Sequence, residues 1–108
     1  MIDQTLKQIE NRVRQTGTLE ESKKSDLLEL LSTLKNEIGD LQDPEQARSI
    51  AAFADLSAHE AMRVEQNPDL LKHALNGLNS TVCDFEEAHP RLVECVNRIA
   101  VTLSNLGI

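Results

Sequence analysis

A chain of 108 residues has the length of one domain. Eighteen acidic against eleven basic side chains leave a net charge of −7, with the basic residues scattered, whereas phosphate binding needs clustered Lys and Arg. Two Phe and no Tyr or Trp withhold the aromatic platforms on which single strands stack, so nucleic acid is not an expected partner and the core must be aliphatic.

The first segment carries Ile2, Leu6, Ile9 and Val13 on one face and Lys7, Glu10, Arg12 and Arg14 off it, which predicts a short amphipathic helix over 2–15. Gly17 is placed to close it in a left-handed conformation, and Thr18 with Glu21 forms a capping-box pattern for the next helix. That second helix, 19–40, repeats a seam of Leu27, Leu31, Leu34, Ile38 and Leu41, widened by Leu28 and Leu30. Asp43-Pro44 restarts the chain with an N-cap and a proline at the first helical position. The very short turn predicts that helices two and three form an antiparallel hairpin.

Helix three, 44–66, has a face of small residues: Ala47, Ile50, Ala51, Ala54, Ala58, Ala61 and Met62, with Phe53 and Val64 along its edge. Such a face lets backbones approach closely and supplies little apolar area of its own. Asn67-Pro68-Asp69 repeats the cap-plus-proline signal. From there Leu71, Leu75, Leu78, Val82, Phe85, His89, Leu92, Val96, Ile99, Leu103 and Leu106 recur at alternating spacings of four and three, a heptad seam. The register passes Pro90 without a slip. The expectation is therefore helices 68–88 and 90–106 nearly in line, kinked at Pro90, and reaching about 58 Å. Gly107 would cap the end, and all seven Pro and Gly residues are read as helix ends or kinks.

The predicted fold class is all-α: a helical hairpin packed on a long, kinked, heptad-patterned C-terminal helix, a single bundle-like domain over 1–108 completed by a second copy. Helix three can run back along only the first half of such a rod, and helix two returns away from its far end. Helix one within the same chain is the rival cover for the far half, but its four apolar residues are fewer than that stripe needs. Leu92, Val96, Ile99, Leu103 and Leu106 are thus expected to form a homodimer interface, each exposed side chain otherwise forfeiting roughly 1.5–3 kcal/mol of burial. Cys83 and Cys95, about 18 Å apart on one rod, cannot pair and are read as free thiols. No run of about 18 apolar residues spans a membrane, and Met1-Ile2-Asp3-Gln4 lacks the regions of a signal peptide, so a cytoplasmic protein is expected.

Few residues suggest chemistry. Glu86 and His89 have the Glu-x-x-His spacing that di-iron carboxylate bundles use to aim two ligands at one metal, but such sites need a second copy of the motif and two more inward glutamates. The other reading leaves His89 as a seam residue beside Pro90. His59 and His73 each follow an aspartate by four residues, Asp55 and Asp69, and are read as helix-face pairs. No Ser or Thr lies in a nucleophile elbow, and the carboxylates are read as mostly lining solvated faces.

The run Asp84-Phe85-Glu86-Glu87-Ala88-His89-Pro90-Arg91-Leu92, with Val96-Asn97-Arg98-Ile99-Ala100 and the ending Leu103-Ser104-Asn105-Leu106-Gly107-Ile108, resembles a family of short bacterial proteins of unknown function. The likeness covers about the last 25 residues, and the segment from Ala47 to Met62 is not matched. It implies a bacterial, cytoplasmic protein and brings no activity, cofactor or catalytic residue. The leading expectation is a small interaction or structural protein, not an enzyme and without cofactor, that self-associates or binds a partner helix. The alternative is a metal-binding helical bundle centred on Glu86 and His89. A third reading offers the acidic faces to a basic partner.

Overall fold

The computed structural model describes residues 2–17, 19–63, 65–85 and 87–106. Five α-helices follow one another: α1 (Ile2–Gln15), α2 (Glu21–Gly39), α3 (Pro44–Ala61), α4 (Pro68–Val82) and α5 (Pro90–Asn105), with a 3₁₀ turn at Cys83–Phe85. The all-α, bundle-like fold expected from the sequence is the fold found.

Local chemistry accounts for most boundaries. The Asp43 carboxylate accepts from the Glu45 N–H at 2.9 Å, and the Asn67 side-chain oxygen accepts from Asp69 and Leu70 at 3.1 and 3.2 Å. Each cap precedes a proline at the first helical position, where a missing N–H removes no helical bond. The expected capping box fares differently. Thr18 lies outside the described residues, and α2 opens instead from Glu20, in extended conformation and without a side-chain cap. Gly17 lies in the bend after α1, but no described residue has the positive φ expected of it. Helix α3 stops at Ala61 and not near 66, where the Gln66 amide turns back and donates to the Ala61 carbonyl at 2.9 Å. Gly107 lies outside the described residues.

The helices close into a ring. α1 packs on α2, α2 on α5, α5 on α4, α4 on α3 and α3 on α1, with α3 also touching α5. One aliphatic cluster fills it: Leu6, Ile9 and Val13 from α1, Leu27, Leu31, Leu34 and Ile38 from α2, Leu71, Leu75, Leu78 and Val82 from α4, and the α3 alanines around Ile50. The predicted hairpin of helices two and three is not the arrangement adopted. Its short turn joins two helices whose main packing partners lie elsewhere, α1 and α5 for α2, α1 and α4 for α3.

The largest correction concerns Pro90, which begins a new helix and does not kink a long one. α5 packs against α4, and the molecule measures 36 × 24 × 22 Å, too small for a 58 Å rod. The reason is local. Proline disfavours helical conformation in the residue before it, and His89 sits at φ −137°, ψ 66°, which breaks the helix outright. An interior proline would cost roughly 3 kcal/mol, whereas one that opens a helix avoids that cost. The seam keeps its register across the corner because both helices face the same core.

Leu92, Val96, Ile99 and Leu103 are accordingly buried at 2 % exposure or less within a single chain, and Leu106 is half-buried. α2, α3 and α4 cover the stripe that a second copy was expected to cover. Another correction concerns Gly77. It marks neither an end nor a kink but sits inside α4, beneath the ring of Phe53 from α3. A Cβ there would lie 2.6 Å from Phe53 Cδ1, so only glycine lets the ring rest on the helix.

Candidate functional site

The corner between α4 and α5 holds the sequence's metal candidates. The His89 N–H donates to the Phe85 carbonyl at 2.7 Å, and its half-buried ring meets Phe85 edge-on at a centroid distance of 5.9 Å. Glu86 lies outside the described residues. Among the described residues no three His, Cys, Asp or Glu side chains gather where they could hold a metal ion, and the inward helix faces are aliphatic. The metal-bundle alternative is therefore not favoured.

A polar cluster that the sequence did not suggest ties α1 to α3. Arg12 reaches across and sets Nη1 2.6 Å from His59 Nδ1 and Nη2 3.6 Å from Asp55 Oδ1. A guanidinium only donates, so His59 accepts through Nδ1 and carries its proton on Nε2. The expected Asp55–His59 pair is thus replaced by two contacts to a third residue on another helix. Arg12 Nε and Asp55 Oδ1 are buried without a hydrogen bond, as is the Ser57 hydroxyl, which is fully enclosed. The hollow beside this cluster is lined by Arg12, Gln15, Thr16, His59, Met62 and Arg63. Glu60 also departs from the solvated-face reading: it is 7 % exposed and accepts from Arg63 Nη1 at 3.0 Å.

Both cysteines are free thiols. Cys83 is exposed, while the buried Cys95 donates its S–H from α5 to the Leu30 carbonyl of α2 at 3.3 Å. Burial first, and then the negative charge of Glu37, push the Cys95 thiol up from 9.0 to about 11, so it stays protonated and unreactive at neutral pH.

On the outer side of the same two helices runs an open groove of about 850 Å³. Leu30 and Val93 line it half-buried, and Val101 is 59 % exposed. Thr33 and Thr102, also in the lining, give their hydroxyls to carbonyls one turn back, those of Glu29 and Arg98. Asp26, Glu29, Glu94 and Arg98 add the charges. Leu30 widens an apolar stripe in the sequence, but no local pattern there marks α5 as the other wall, because the heptad register points to a continuous rod.

Among the described residues the chain forms five α-helices around an aliphatic core, with an open groove between α2 and α5 and no assembled metal-ligand group. Residues 29–108 match the family described as a domain of unknown function, DUF4404, and the chain belongs to that family. The match includes Ala47 to Met62, the segment that the sequence resemblance left unmatched. No curated protein and no solved structure matches the chain. Among the described residues, no helix is long and apolar enough to cross a membrane.

Proposed function

We propose that this is a small cytoplasmic interaction protein, not an enzyme, which docks a helix against the groove between α2 and α5. The observation that carries this reading is the groove: Leu30, Val93 and Val101 stay open to water between two helices whose inner faces are fully packed. Apolar side chains aligned in a concavity and rimmed by polar ones are what helix-in-groove recognition uses. The two free thiols fit a reducing compartment. A homodimer through Leu92, Val96, Ile99 and Leu103 is not part of this reading, since those side chains are enclosed. Nucleic acid and membrane are not partners in this reading.

A photo-crosslinking side chain at position 101 tests it. Irradiation in the native cell is expected to give a discrete adduct from position 101, to a second copy or to another protein, and none from exposed position 46 on α3. Equal adducts from both positions, or none from 101, would count against a docking role.

A further inference from the structure

We propose that the occupant of the α2–α5 groove is a basic amphipathic helix supplied by a different protein, an inference that rests on the docking role and adds the partner's chemistry. Three carboxylates, Asp26, Glu29 and Glu94, stand against one guanidinium, Arg98, leaving the groove a formal charge of −2. Among the described residues none of the three carboxylates is in an ion pair, although Arg98 lies one turn from Glu94 on α5. Among the described residues the ion pairs lie elsewhere: Arg12–Asp55, Arg14–Glu10, Lys24–Glu21 and Arg63–Glu60. The groove thus sets half-buried Leu30 and Val93 beside a net −2 that lies on the α2 wall, at Asp26 and Glu29, since Glu94 and Arg98 balance on α5.

That arrangement selects between occupants. A second copy docking groove to groove about a two-fold axis would bring −2 against −2, and the whole chain carries −7. A helix with an apolar stripe flanked by Lys or Arg meets both features at once. The lining of α5 runs from Pro90 to Thr102, about 18 Å, which accommodates slightly more than three turns of a partner helix.

The test uses the full chain and two amphipathic peptides of about 14 residues, alike in their Leu stripe and differing only in Lys or Glu flanks. Fluorescence anisotropy at low salt is expected to show the Lys peptide binding at least about tenfold tighter than the Glu peptide, with the difference shrinking as salt screens exposed charges. In Glu29→Lys, Glu94→Lys, whose groove charge becomes +2, the preference should invert. Val101→Ser should weaken both peptides, which separates groove binding from general attraction to an acidic protein. Equal binding of the two peptides, or no inversion in the charge variant, overturns the proposal. If neither peptide binds but light scattering finds a wild-type dimer that Val101→Ser dissolves, the docking role stands and the basic partner falls. If neither peptide binds and no such association occurs, both fall.

Discussion

The α3–α4 pair and the α2–α5 pair solve the same packing problem with opposite materials. α3 presents Ala47, Ala51, Ala54, Ala58 and Ala61, and α4 lets Phe53 lie across Gly77, so this pair makes the most extensive backbone approach in the molecule. α2 and α5 meet through Leu27, Leu31, Leu34 and Ile38 on one side and Leu92, Val96, Ile99 and Leu103 on the other. Small residues draw helix axes together, whereas branched aliphatic ones fill the core from helices held farther apart. Both pairs leave a hollow on the outside, about 440 Å³ beside Phe53 and Gly77 and about 850 Å³ between α2 and α5, and the larger takes Leu30, Val93 and Val101 into its lining. The α3–α4 pair thus closes over Gly77, whereas the α2–α5 pair closes on its inner face and leaves apolar side chains exposed on its outer face.

The largest effect should come from the inner face of α5. Val96→Asp with Leu103→Asp places two unpaired charges in a closed core, each costing several kcal/mol against a typical total of about 5–15 kcal/mol. Circular dichroism should show loss of the cooperative thermal transition. A folded variant would mean that these positions are not enclosed by their own chain.

The link from α5 to α2 gives a pH signature. Because the folded Cys95 thiol ionises near 11 and the unfolded one near 9.0, its contribution is fully present below pH 9 and is lost as the pH rises towards 11. Denaturant melts should weaken by something on the order of 2–3 kcal/mol over that window. Cys95→Ala should be less stable at neutral pH but flatter between pH 9 and 11. An unchanged slope would remove Cys95 from the cause.

The α3–α4 contact is sharpened by a change of sign. Gly77→Ala gains about 1 kcal/mol of helix propensity but must displace the Phe53 ring, an overpacking cost of roughly 1–3 kcal/mol. It should destabilise the wild type and stabilise a Phe53→Ala background, read as a double-mutant cycle in urea. Val101→Ser, on the outer face of α5, should have the smallest effect, within about 0.5 kcal/mol, since it removes no buried contact.

Helix identity was legible in the sequence because caps act locally. Asp43-Pro44 and Asn67-Pro68 start their helices where expected, and the seam positions Leu71, Leu75, Leu78, Leu92, Val96 and Ile99 are all buried. Helix partners were not, since heptad register says which face is buried and not what buries it. The continuous register across His89-Pro90 reads as one rod, although the restriction that proline places on His89 turns the chain there. The same misreading hid the groove, which exists only because α5 returns to α2. The part of Arg12 was hidden for a related reason: it lies 47 residues from His59, and nothing in either helix alone marks the two as neighbours.

Small-angle X-ray scattering on the single-chain species, of mass 12.0 kDa, tests most directly whether the chain turns at 83–89 and closes its seam upon itself. The structure requires a radius of gyration close to 12.8 Å, with a small increment for side chains and hydration, and a compact distance distribution. A distribution extending to about 58 Å or beyond, as a kinked rod demands, would contradict it.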